Sequence, residues 1–507
     1  MPVSLSADDQ YSAWTGLVYI FNLIVGTGAL TLPAAFLKAG WGLGVGLIVL
    51  LAIISFVTAT FVLEAMSCAN FIVRYKRMKA LSRVSQRISR ANQIQSETED
   101  EADDPNEDAP LFTPTEDTLD RFPSLPHYFF SLSEKLEMSD MANLFFGRVG
   151  QILFFLCFAI YLYGDLAIYT AVVSKSLGDV ICTYEPNGTA SCGDNLPPET
   201  ACWEGFSLTR LSIYRIFVAI FLGCMGPFAF FNVQKTKYLQ LCTSFMRWLA
   251  FSVMISLAVR QLILKGAQGH PHVANTTGLP ALLGASVYSF MCHHSLPGLI
   301  APISGNNHIK RLLGMDYAII AIFYLLLSLT GVFAFAQPDE LYTLVFNPRC
   351  STSSIEDSLI MRLIGYFLAL FPVFTLSTSF PIIAITLRNN LQNATLGTNV
   401  ASYPWVVRRL LFPCLSVIPP VLVALISEKL EILVRITGSF AGAGIQYIIP
   451  AFLVYYARKE VMKMSTGDSE NIYASPFKST VWVVAVLLWA VACIILVFGM
   501  VVSEFVN

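Results

Sequence analysis

Apolar residues run in long blocks along this chain, separated by shorter polar stretches. A helix needs about 20 mostly apolar residues to cross a bilayer. Eleven blocks qualify: 13–37, 41–67, 144–174, 211–231, 238–264, 279–303, 314–336, 359–387, 403–426, 432–456 and 480–502. We number them span 1 to span 11. The pattern predicts an all-α polytopic membrane protein of about 11 transmembrane helices. It divides the chain into an N-tail (1–12), spans 1 and 2 (13–67), a long loop (71–143), spans 3 to 5 (144–264), spans 6 to 10 (279–456) and span 11 (480–502).

Composition supports lipid as the solvent. Residues AVILMFWYC make up 55% of the chain and DEKR only 13%, against about 25% charged residues in soluble domains. The net charge of −2 supplies no basic field for nucleic acid. Residues 1–10 hold no Lys or Arg but do hold Asp8 and Asp9. A cleaved signal peptide starts with a basic region, so span 1 is expected to be a retained anchor.

Cations set the expected orientation. They crowd the chain after even-numbered spans: Arg74, Lys76 and Arg77 after span 2, Lys235 and Lys237 after span 4, Lys310 and Arg311 after span 6, Arg388, Arg408 and Arg409 around the loop between spans 8 and 9, Arg458 and Lys459 after span 10. The N-terminus is then cytosolic and the C-terminus non-cytosolic. Asn187-Gly188-Thr189 and Asn275-Thr276-Thr277 match the glycosylation pattern on the non-cytosolic side; Asn393-Ala394-Thr395 falls on the cytosolic side. Cys182, Cys192, Cys202 and Cys350 sit in non-cytosolic loops, where disulfides persist. Four cysteines allow three pairings, and sequence does not choose among them. A lysosomal or a plasma membrane fits this topology.

The loop 71–143 is basic at first and then acidic, reading ETEDEADDPNED over 97–108. Such a stretch cannot bury apolar area, and a disordered cytosolic insert is expected.

Broken helices carry the functional reading. Backbone groups in lipid need internal partners, so glycine and proline breaks survive only beside protein or a cavity. Two breaks in matching places of two halves point to a transporter binding site. Span 1 holds Gly26-Thr27-Gly28 and then Pro33; span 6 holds His293-His294-Ser295-Leu296-Pro297-Gly298 and then Pro302. These spans are five apart. Two five-helix repeats would make them equivalents, the second inverted because five is odd, with span 11 added. Freed N–H groups at the start of a half-helix suit a carboxylate, and freed carbonyls suit a cation. The plain alternative for Gly26 and Gly28 is a small-residue seam for helix packing.

Residues 22–36, reading NLIVGTGALTLPAAF, with Ala39-Gly40-Trp41 beyond, resemble the first helix of the amino acid/auxin permease family of the APC superfamily. Phe290-Met291-Cys292-His293 is similar to the sixth-helix motif of its sodium-coupled members. The resemblance implies a LeuT-like fold, a 5+5 inverted repeat plus one helix, and an amino acid substrate. It would put the substrate carboxylate on Gly26, Thr27 and Gly28, with His293, His294 and Ser295 facing it from span 6. It would put Asn22 near a sodium site, opposite Ser377 and Thr378 of span 8. His294 stands where close relatives have proline, so the side-chain pocket differs from theirs.

Four buried polar residues need an explanation. His293 and His294 can carry a proton near neutral pH or make a structural hydrogen bond. Asp165 lies in mid-span, where an acid costs about 2.5–3.5 kcal/mol on insertion scales. A bound cation, a proton or an ion pair must offset that. Arg247 of span 5 is the cation well inside a span, so an Asp165–Arg247 pair is one reading. In another, Arg247 occupies a sodium position, as a span 5 lysine does in some sodium-independent relatives of this fold. Glu64 and Arg215 are expected to be interfacial.

The expected function is secondary active transport of small amino acids, coupled to sodium or protons. A non-transporting amino acid sensor is the alternative. No nucleotide loop, nucleophile motif or metal-ligand spacing points to an enzyme or a bound cofactor, and protein partners are unknown.

Overall fold

The structure is a computed structural model. It describes residues 3–4, 10–96, 127–132, 134–184, 197–231, 237–303, 308–348, 358–396, 404–427, 429–464 and 471–506. Asn187, Cys192, Cys350 and the acidic stretch 97–108 lie outside them.

Each of the eleven expected spans falls on helical chain. Among the described residues, nine helices are long and apolar enough to cross a membrane unaided, and a bent pair supplies a tenth crossing. The bent pair is span 1, Ala13–Ile24 followed by Thr27–Ala39, which meet at 51°. Span 6 consists of Leu279–Ser289 and Leu296–Ile300, each too short to cross alone. The protein is an all-α polytopic membrane protein.

Local chemistry explains both breaks. Ser12 caps the first half of span 1, its side chain accepting from Thr15 N at 3.3 Å. The helix stops when Gly26 turns extended, at φ −117° and ψ −150°. The second half of span 1 ends at Gly40, whose φ of +94° suits glycine. In span 6, Phe290–Ser295 leaves the helix, and Pro297 opens the second piece. Proline is tolerated there because a first-turn N–H has no helical partner.

The two halves pack through missing side chains. Lipid supplies no hydrophobic drive between helices, so close backbone contact must. A Cβ on Gly28 would sit 2.7 Å from the Ser289 Cα. One on Gly164 of span 3 would sit 2.3 Å from Thr437 Oγ1. Thr437 opens a π-helical stretch, Thr437–Gly442, in span 10; such widened turns recur at functional sites. Span 3, Arg148–Ile181, packs along span 8, Leu359–Leu396.

Two boundaries differ from expectation. The second helix does not end at 67 but runs from Trp41 to Ser96, and span 8 runs on to Leu396, placing Arg388 and Asn393 on helix. Charged residues continued both helices where the apolar block stopped. The loop 71–143 is also not one unstructured insert. Its end folds: His127–Phe130 forms a turn of 3₁₀ helix, Glu134–Lys135 pairs with Val3–Ser4, and Met138–Phe145 is helical. Phe129, Phe130, Leu132 and Leu136 are buried, so the loop end carries apolar residues of its own.

Ion pairs close the two ends of the bundle. At one end Lys38 pairs with Glu431, and Lys175 lies 3.7 Å from Glu340. Glu340 also accepts from Glu431 N at 3.4 Å. At the other end Glu64 is buried and pairs with Arg458 at 2.7 Å. Arg215 is exposed. Cys182 and Cys202 form a disulfide tying the end of span 3 to the loop before span 4.

Candidate functional site

The breaks of spans 1 and 6 border a cavity of about 420 Å³. Gly26, Thr27 and Gly28 line it from span 1, Asp165 and Tyr169 from span 3, Arg247 from span 5 and Tyr288, His294 and Ser295 from span 6. Its walls continue toward Thr386, Asn390 and Glu137–Ser139, the end that carries the Glu64–Arg458 pair. It does not reach the Lys38–Glu431 pair.

The break in span 1 presents two faces. The helix Thr27–Ala39 starts at the cavity with its first-turn N–H groups unused by the helix. This end carries partial positive charge and suits an anion. The carbonyls that end Ala13–Ile24 have protein partners. Arg247 Nη1 donates to Asn22 O and, at 3.1 Å, to Val25 O. The Tyr324 hydroxyl lies between Ile24 O at 3.0 Å and Ser289 O at 2.8 Å, joining both breaks.

Asp165 and Arg247 form no ion pair. The Tyr288 hydroxyl donates to Asp165 Oδ1 and stands 3.1 Å from Thr27 Oγ1. Asp165 is only 3% exposed, yet no basic side chain pairs with it among the described residues. Gly164 sets its position, because the contact with Thr437 fixes span 3 one residue before the acid.

The two histidines divide. His293 faces away from the cavity, fully buried, with Nε2 2.8 Å from Thr58 Oγ1 of span 2. It is a structural residue, and its expected place beside the substrate is corrected. His294 does line the cavity, its ring 5.3 Å from that of Tyr161 and its Nδ1 without a partner.

The span 8 hydroxyls shift by one. Thr378 lines the cavity but Ser377 does not; Ser379 takes its place. Both Thr378 and Ser379 donate to Thr375 O, at 2.8 and 3.0 Å. Asn22 lines the cavity too, with Oδ1 unpartnered. Asn275 caps a short turn: its Oδ1 accepts from Thr277 N at 3.2 Å, and its Nδ2 donates to Lys38 O at 3.1 Å. A glycan on Asn275 would compete with that bond.

Sequence reading missed Tyr288 and Tyr324. Tyrosine is common in apolar blocks, so nothing marks these two. It also missed the buried Asp316 of span 7, which lies off the cavity with Oδ2 unpartnered.

The chain matches the family described as transmembrane amino acid transporter protein over residues 9–81 and 132–499. It is 47% identical over 505 residues to the transmembrane protein 104 homolog of Drosophila melanogaster, covering 97% of each chain. It is 46% identical over 502 residues to transmembrane protein 104 of Homo sapiens, covering 96% of each. A homolog from Dictyostelium discoideum is 34% identical over 532 residues, with 97% of each chain covered.

Proposed function

The chain belongs to the transmembrane amino acid transporter family, and from that premise we propose that it carries a small amino acid through the cavity between the breaks of spans 1 and 6. The substrate carboxylate is held by the N–H groups that start Thr27–Ala39. The observation that carries this reading is that helix start, open to a cavity with an acid and a histidine on its far walls. The fold is a 5+5 inverted repeat with span 11 added.

Transport is secondary and active, with a proton as the driving ion. Arg247 supports this choice over sodium. Its guanidinium already meets the carbonyls that a cation at the span 1 break would use. Asp165 and His294 are the groups inside the cavity able to carry a proton, with Glu137 at its mouth.

The N-terminus is cytosolic by the cation pattern, in a lysosomal or plasma membrane. The cavity then opens to the cytosol, and Lys38–Glu431 closes the other face.

A sensor is the second reading, and one observation favours it. Glu137, Met138 and Ser139 line the cavity mouth and continue the long loop after span 2. Occupancy could thus be felt by that loop. Uptake of the twenty standard amino acids into proteoliposomes under a pH gradient separates the two. Accumulation supports the transporter; binding without accumulation supports the sensor.

A further inference from the structure

We infer that Asp165 takes the substrate's ammonium group, so that the cavity selects for a primary amine as well as a carboxylate. This rests on the proposed amino acid site and adds the residue that recognises its positive end.

The case is one of counting acceptors. An ammonium in a dry site needs several oxygens, and a charged one is worth most: about 1.5–3 kcal/mol per hydrogen bond, against about 1 for a neutral partner. The carbonyls freed by the span 1 break are the obvious candidates, but they are neutral, and several already accept one bond. Asn22 O and Val25 O accept from Arg247, and Ile24 O accepts from Gly26 N and borders the Tyr324 hydroxyl. In span 6, Ser289 O also borders Tyr324, Tyr288 O accepts from Met291 N, and Cys292 O accepts from Ser295 N and Leu296 N. Asp165 is the acid that lines the interior of the cavity; Glu137 stands at its mouth.

Geometry places this acid correctly. The Tyr288 hydroxyl touches both Asp165 Oδ1 and Thr27 Oγ1. The carboxylate is therefore one hydroxyl away from the helix start that would hold the substrate's own carboxylate. In an amino acid the two charged groups share one carbon, a separation of the same order. Tyr288 fills one site on Oδ1 and leaves the rest of the carboxylate to a ligand. Asn22 Oδ1, unpartnered and on the same cavity, is a neutral second acceptor. Without a ligand, a carboxylate at this depth has no cation among the described residues to offset its burial, which is costly. An ammonium supplies that charge. The assignment leaves His294 to carry the driving proton.

Binding of the twenty standard L-amino acids to the purified full chain in nanodiscs is measured by thermal shift. For each binder, the 2-hydroxy acid and the decarboxylated amine with the same side chain are then tested. Wild type should prefer the amino acid to the hydroxy acid by about 30-fold or more, the usual result of removing one partner of a buried charge pair. Asp165→Asn should remove most of that preference, while Asp165→Glu should keep part of it. Should Asp165→Asn fail to fold, Asp165→Glu and the wild-type series still decide: a hydroxy acid bound as well as the amino acid overturns the assignment. A folded Asp165→Asn that keeps the full amine preference also overturns it, leaving the carboxylate site standing. If no amino acid binds wild type, the proposed site falls first and the assignment with it.

Discussion

Arg247 Nη1 donates to the carbonyl of Val25 at 3.1 Å, so a side chain from span 5 sits where the break in span 1 exposes main-chain oxygens. A helix C-terminus carries partial negative charge and favours a cation. Here that cation is covalently attached. The energetics of the break therefore need no dissolved ion.

Uptake should accordingly not change when sodium is replaced by choline. Arg247→Gln removes the charge from buried carbonyls and should cost about 1–3 kcal/mol of stability. Arg247→Lys should restore part of it. Thermal unfolding and uptake in sodium-free buffer read the two effects. A fall in wild-type uptake on sodium removal would contradict the role given to Arg247.

Gly26 and Gly28 should behave differently. A Cβ on Gly26 meets nothing within 4 Å, and Gly26 lines the cavity. Gly26→Val should fold with near wild-type stability and lose substrate binding. Gly28 has backbone of Ser289 at 2.7 Å. Gly28→Ala should overpack the contact and cost about 1–3 kcal/mol. Thermal stability and ligand binding measured side by side separate the two outcomes.

The histidines give a second such contrast. His293→Ala removes the partner of Thr58 and should lower stability by about 2 kcal/mol. His294→Ala should leave stability nearly unchanged while altering uptake and its pH profile. Equal loss of stability in both variants would contradict the separation seen here.

The Lys38–Glu431 pair joins the end of span 1 to the start of span 10, with side chains 46% and 27% exposed. At that exposure it should contribute no more than about 1 kcal/mol. Its value is in closure. Glu431→Ala should leave the melting temperature within error, and a cysteine placed at Thr31 should react faster with a membrane-impermeant thiol reagent applied from that side.

Much of the fold was legible because lipid imposes a length and a composition on every crossing. Gly26-Thr27-Gly28 was legible as a candidate break, with a packing seam as its rival, and Gly28 does both: it opens the second half-helix and packs on Ser289. What lay beyond reach was direction. Nothing in His293-His294 says which ring turns toward the cavity. Nothing in Asp165 and Arg247 says that each finds a separate partner. The ion pair of Glu64 was hidden because its partner, Arg458, lies 394 residues away in sequence. Helical continuation to Ser96 was hidden for another reason: once a helix leaves the membrane, hydropathy no longer marks it.

The central claim is that the start of the helix Thr27–Ala39 holds the substrate carboxylate at mid-bilayer. An electron cryo-microscopy map of the protein in nanodiscs, saturated with the amino acid selected by the uptake screen, tests it most directly. Ligand density with its carboxylate within hydrogen-bond reach of the Thr27 and Gly28 N–H groups is the expected result. Density elsewhere, or a first span running as one unbroken helix past Gly26, would contradict it.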